Sequence, residues 1–255
     1  MNPDLSDIKA FLDQKYLYYC HTEFISGDPI SIPHLFSRKE DIEIAGFLTA
    51  TISWGQRKTI LKNANQLMKI MDYSPYEFVI QADENDLRAL GLFKHRTFNG
   101  TDCIFFLKSL KNIYQKHGGL EQAFIKKGNG EIKNSILNFR DIFFSIPHPA
   151  RTVKHVADPS TGASAKRINM FLRWMVRKDK YGVDFGIWDS FRPSQLYCPL
   201  DIHTGNVARK LGLINHRQND WRALEELMHH LRAFDPEDPV KYDFALFGLG
   251  IFEKF

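Results

Sequence analysis

The chain has 255 residues, 44% of them hydrophobic and 13% aromatic, with a formal net charge of +4. That is enough apolar material for one or two packed units, and the three scattered cysteines, Cys20, Cys103 and Cys198, exclude a disulfide framework or a C-x-x-C pair. No apolar run reaches the ~20 residues needed to span a bilayer and no signal peptide precedes Asp4, so a cytoplasmic protein off the membrane is expected; the mild basicity permits a polyanion partner without requiring one.

Leu5 to about Phe24 carries Ile8, Phe11, Leu12 and Tyr19 at helical spacing and reads as an early packing helix. Asp28-Pro29 and Ile32-Pro33 then turn the chain into a loop that runs to Ser37. Asp41 to Ser53 is almost wholly apolar behind an acidic start, the pattern of a helix buried on most sides, with Gly55 as its breaker. Gln56 to Met71 resumes with Ile60, Leu61, Leu67 and Ile70, and Pro75 to Leu90 holds two short helices, the second opening on Asp83. A helix from Asp102 aligns Cys103, Phe106, Leu107, Leu110 and Ile113 and closes at Gly118-Gly119. Two helical patterns fill Leu120 to Ile146 around a flexible tip, Lys126-Lys127-Gly128-Asn129-Gly130, before Pro147 and Pro149 mark the clearest internal boundary.

The stretch from Asp158 to Leu213 organises the rest. A Pro/Ser/Thr/Gly turn precedes a helix whose Ile168, Phe171, Leu172 and Met175 share one face, which places Lys166 in its first turn. Pro199-Leu200 precede Asp201, which opens another helix ending at Gly212. Between them lies an insertion, Asp179 to Pro199, rich in aromatic residues and read either as a pocket-lining loop or as a packed Ω-loop. Trp221 to Ala233 and Asp235 to Phe255 are helical by pattern. No segment alternates as a substantial strand would, so the fold is expected to be all-α, without internal repeats.

Taken alone, Asp201 reads equally as an N-cap and as a catalytic carboxylate, and Lys166 as a surface lysine near a helix start. The pairing is what carries weight. Gly162, Lys166, Leu200, Asp201, His203 and Arg209 resemble the helix-hairpin-helix superfamily of base-excision DNA glycosylases, in which a glycine-bearing hairpin, a helix and a V-D-x-H segment follow one another. That resemblance implies a two-lobed helical architecture containing a helix-hairpin-helix. The whole chain, 1–255, would form one such unit, with lobes of about 40–150 and of 1–39 plus 151–255. It implies Lys166 as the amine that attacks the sugar C1′ and Asp201 as the catalytic aspartate. Gly162 and Ser164 would occupy the hairpin's glycine positions, Ser164 replacing the second glycine. Gln56 falls where endonuclease III-like members place a glutamine in the hole left by an extruded nucleotide, followed by Arg57 and Lys58 to meet phosphates. His203 and Arg209 complete the expected nucleic-acid contacts, and Trp174, Trp188, Phe191 and Tyr197 are the candidate walls of a base pocket.

The chemistry agrees with those residue types. A carboxylate near C1′ stabilises positive charge as the glycosidic bond breaks. An ordinary lysine is neutral about once in a thousand at neutral pH, so a nucleophilic one needs desolvation and the positive end of a helix. The implied activity is therefore a glycosylase with abasic-site lyase activity on a damaged DNA duplex. 8-Oxoguanine is the first substrate to try, because the long Lys-to-Asp separation is similar to that of the archaeal 8-oxoguanine glycosylases. The alternative is a nucleic-acid-binding module without catalysis. No cofactor and no metal are expected, the four-cysteine iron–sulfur loop of several relatives is absent, and a monomer is expected. A metal-dependent phosphohydrolase is disfavoured, since no His-Asp dipeptide occurs. The segments D-I-E-I-A-G-F-L (Asp41 to Leu48), S-Q-L-x-x-P-L-D-x-H-T-G (Ser194 to Gly205) and D-P-V-K-Y-D-F-A-L-F-G-L-G (Asp238 to Gly250) also resemble, nearly end to end, a bacterial family of uncharacterised proteins.

Overall fold

A computed structural model describes residues 4–125 and 130–255; the expected tip at Lys126-Lys127-Gly128-Asn129 lies outside the described residues. The α-helices are α1 (Leu5–Tyr19), α2 (Glu23–Gly27), α3 (Lys39–Thr51), α4 (Arg57–Ile70), α5 (Pro75–Gln81), α6 (Glu84–Leu90), α7 (Gly100–Lys116), α8 (Leu120–Phe124), α9 (Ile132–Phe143), α10 (Lys166–Val176), α11 (Ile202–Lys210), α12 (Trp221–Phe234) and α13 (Tyr242–Gly248). A π-turn, Leu249–Glu253, continues α13. Two-residue strands, β1 (Lys94–His95) and β2 (Phe98–Asn99), pair antiparallel, and the fold is all-α.

Several boundaries differ from the sequence pattern for local reasons. The first helix stops at Tyr19 rather than near Phe24, because Cys20 leaves helical geometry and turns into full burial. The two prolines at 29 and 33 each begin a 3-10 turn instead of an open loop, since a fixed φ and a missing N–H suit a first helical position. α7 starts two residues early because Asn99 and Asp102 cap each other reciprocally, Asn99 N–H donating to Asp102 at 3.0 Å. Gly100 then lies against Gly91, where an added Cβ would stand 2.2 Å from the Gly91 carbonyl oxygen.

The helices form two units, Gly27–Ala157 and the remainder, the latter made of the stretch up to Ser26 together with Asp158–Phe255. In the first, Ile42 to Thr51 of α3 are buried all round, and Phe47 meets Phe106, Phe139 and Phe143 at ring separations of 5.7, 5.3 and 5.5 Å. Buried Glu43 of α3 accepts the Tyr114 hydroxyl at 2.6 Å.

In the second unit α1 packs on α13, closely enough that a Cβ on Gly248 would stand 2.2 Å from the Tyr19 ring. The insertion after α10 folds back over the end of that helix. Phe185 N–H donates to the Trp174 carbonyl (2.8 Å), and Ile187 and Trp188 N–H to that of Met175 (2.8 and 3.0 Å), which satisfies carbonyls a helix end leaves open. Behind it, Arg177 bonds Asp238 through Nε (2.9 Å), Asp184 through one terminal nitrogen (3.0 Å) and the Tyr16 hydroxyl through the other (2.8 Å). Arg173 shares Asp184 at 3.2 Å and also pairs with Asp243.

Candidate functional site

The turn before α10 is built from short polar side chains. Asp158 Oδ1 accepts the Ser160 N–H (2.9 Å) and hydroxyl (2.6 Å), and Pro159–Thr161 forms one 3-10 turn. Gly162 follows at φ +90°, ψ 1°, a left-handed conformation that costs other residues about 1–2 kcal/mol. The second left-handed residue of the turn is Ala165 (φ +50°, ψ 38°), one position beyond Ser164. The Ser164 carbonyl accepts from Nδ2 of buried Asn169 at 2.9 Å. The far side of the turn is pinned by Trp221 N–H donating to the Gly162 carbonyl (2.8 Å) and by a bridge between Ala163 and Asp220.

Lys166 is the first residue of α10, and Asp201 is the N-cap of α11. The two oxygens of Asp201 divide the work. Oδ1 accepts the N–H groups of His203 and Thr204, both at 2.9 Å, while Oδ2 lies 3.8 Å from Lys166 Nζ. Capping and facing the amine are thus one arrangement, and both side chains stay partly open, 28% for Lys166 and 19% for Asp201. Asn219 fixes the Asp201 backbone by donating from Nδ2 to its carbonyl (2.9 Å), and it rests against Gly205, where a Cβ would stand 2.5 Å from Asn219 Oδ1. Nothing in the spacing of the sequence points to Asn219.

A second carboxylate, buried Asp243 of α13, feels both members of the pair. Its Oδ1 accepts the Cys198 thiol at 3.5 Å while Arg173 holds the other oxygen. Burial pushes the Asp243 carboxyl up to about 6, although Arg173 pulls it down; burial also drives the Cys198 thiol well above its ordinary range, so that sulfur is no nucleophile. A folded-state value above the unfolded 3.8 means the fold binds the proton more tightly. The stability this contributes is full below the unfolded value and is lost as pH rises through about 6. Asp243→Asn should therefore gain stability relative to wild type between acid and neutral pH, as read from paired urea denaturations across that range.

The other expected residues divide. His203 is exposed one position beyond the first residue of α11, with its Cβ against Gly250, where an added Cβ would stand 3.0 Å from it. The Arg209 guanidinium donates to the carbonyls of His216 (2.7 Å) and Gln218 (3.0 Å) and to Asn219 Oδ1 (2.7 Å), so it braces a loop. Trp174, Trp188 and Phe191 are 0%, 1% and 8% exposed, which makes them core side chains of this unit and not walls of an open pocket. Tyr197 is half-buried against Trp221 and Arg232. In the unit Gly27–Ala157, Gln56 holds the N-cap position of α4, exposed beside Lys58, with Arg57 half-buried. Gly55 (φ +102°) is covered by Arg96 from the β1–β2 turn, and Asn63 Nδ2 reaches His95 Nδ1 at 2.9 Å. The His95 Nε2–H donates to the Trp54 carbonyl at 3.0 Å, which joins the α3–α4 connection to the ribbon. The residue missed on this side is Leu92, 93% exposed just before Lys94, whose sequence signal is the Gly91-Leu92 turn.

Among the described residues no group of three His, Cys, Asp or Glu side chains gathers as a metal ion needs, and none of their helices is long and apolar enough to cross a membrane.

An all-helical chain with a lysine and an aspartate brought together at two helix starts is the class of protein these observations define. The chain belongs to the DUF2400 family of proteins of unknown function, which it matches over residues 28–252. Neither a curated protein nor a solved structure matches it.

Proposed function

We propose that this protein is a DNA base-excision glycosylase with abasic-site lyase activity, built on the two-lobed helix-hairpin-helix plan of that superfamily. Lys166 is the nucleophile and Asp201 the electrostatic stabiliser and proton acceptor. The observation that carries the reading is the 3.8 Å approach of Lys166 Nζ to the uncapped oxygen of Asp201, with both groups partly open to solvent. Such an oxygen can take the proton the amine must lose and oppose positive charge at C1′. The amine then forms a bond to C1′ as the base departs with the glycosidic electron pair; the C1′–O4′ bond next opens, O4′ taking up a proton, and the Schiff base so formed at C1′ permits strand cleavage. In the other unit, exposed Gln56 and Lys58 suit a duplex backbone, and exposed Leu92 suits an unstacked base step.

Borohydride trapping tests this with labelled duplexes carrying 8-oxoguanine or an abasic site. Wild type should give a covalent adduct, and Lys166→Gln should give none and lose strand cleavage. Full base release by Lys166→Gln would reject Lys166 as nucleophile. A second reading, a nucleic-acid-binding module without catalysis, is favoured by one observation: three of the four aromatic residues expected to wall a base pocket are core residues. Tight, salt-dependent binding with no product from any damaged duplex would select it.

A further inference from the structure

The segment between α11 and α12 is held with more bonds than a connection needs. Arg209 donates three hydrogen bonds into it, at 2.7, 3.0 and 2.7 Å. Glu226 Oε2 accepts the N–H groups of Asn215 (2.9 Å) and His216 (3.0 Å), and His216 Nε2 meets Asp220 at 2.9 Å. Asn219 ties the segment to the Asp201 carbonyl, and Trp221 N–H ties its end to the Gly162 carbonyl of the turn before α10. Ordering a loop in this way costs about 1–2 kcal/mol per residue.

What the loop presents is a cavity of about 430 Å³ lined by Asn215, His216, Arg217, Gln218, Arg222 and Glu226. Arg217 is exposed and has no ion-pair partner among the described residues. Arg222 has its side chain 74% exposed, with Nε 3.8 Å from Glu226, an open pair that contributes little. The Glu226 oxygen nearer the loop is already committed to two backbone N–H groups. Two guanidinium groups therefore line one concavity, carried on backbone whose closing residues, Asn219 and Trp221, are fastened to the carbonyls of Asp201 and Gly162.

We infer that this cavity is a binding site for a nucleic-acid backbone phosphate, with Arg217 and Arg222 as its ligands. The inference rests on the nucleic-acid part of the proposed function and not on its catalytic part. Each arginine supplies planar, charged donors that match a phosphate's oxygens. Each contact releases condensed counterions, so each has its own salt signature.

The test is the affinity of the full chain for a fluorescent duplex carrying a stable abasic analogue, measured across a KCl series. Arg217→Gln and Arg222→Gln should each lower the slope of log affinity against log salt by about 0.9 and weaken binding about fivefold near 0.15 M salt. Both side chains are exposed, so neither substitution should affect folding. Lys180→Gln, a charge-matched change at another exposed position of the same unit, should leave the slope at its wild-type value. The inference is overturned if the double variant keeps the wild-type slope, if Lys180→Gln lowers it equally, or if wild type binds no duplex. Borohydride trapping at saturating protein separates the two ideas. A lowered slope with no adduct from wild type keeps the phosphate site and rejects the Lys166 Schiff base, whereas an adduct with an unchanged slope does the reverse.

Discussion

Asp201→Asn should slow base release about 10²–10³-fold while leaving the fold and duplex binding nearly intact. The separation of effects follows from how the carboxylate is used. Its Oδ1 caps α11 through His203 and Thr204, and asparagine caps as well as aspartate, so melting should change by less than about 1 kcal/mol. Its Oδ2 faces Lys166 at 3.8 Å, and the substitution removes the charge there and nothing else. Single-turnover release of base from an excess of enzyme reads the chemical step. Release at the wild-type rate would leave Asp201 as a cap alone, and the charge facing Lys166 would have no catalytic meaning.

The largest expected loss of stability lies elsewhere. Arg177→Met should cost about 3–5 kcal/mol, because it strands buried carboxylates instead of removing a matched pair. Arg177 is 1% exposed in its side chain and reaches Asp238, Asp184 and Tyr16 through separate nitrogens, with Asp179 at 3.4 Å. The side chains of Asp179 and Asp184 are wholly buried, so neither finds water when the guanidinium goes; among the described residues Asp184 keeps only Arg173 as a cation and Asp179 only backbone N–H groups. Lysine should rescue little, since one ammonium cannot replace a fork that serves several partners. Loss of this size takes a third or more of a typical domain's stability, and urea denaturation would read it directly.

Much of the helical order was legible because it rests on local rules. The apolar run of α3, the turn glycines Gly118-Gly119 and the Asp201 cap each follow from neighbours in sequence. The Lys166–Asp201 approach was legible only as two helix starts, since the distance between them depends on packing. What stayed hidden is of that second kind. Trp174, Trp188 and Phe191 sit in a stretch that reads equally as pocket wall or as core, and the insertion that closes over α10 decides for the core. Arg209 carries a charge suited to phosphate, yet its partners are carbonyls seven and nine residues away, on a loop whose path no periodicity fixes. The left-handed turn at Ala165 escaped because alanine seldom adopts it.

The packing of α1 on α13 also constrains how the chain can be made. More than two hundred residues separate Tyr19 from Tyr242, and the Tyr19 ring has no resting place until Gly248 exists. At about 5–20 residues per second, a ribosome holds α1 waiting for ten seconds or longer. Gly27–Ala157, contiguous in the chain, can complete itself during that interval. α1 is thus made well before it can be buried, and its apolar stripe is what a nascent-chain chaperone would meet.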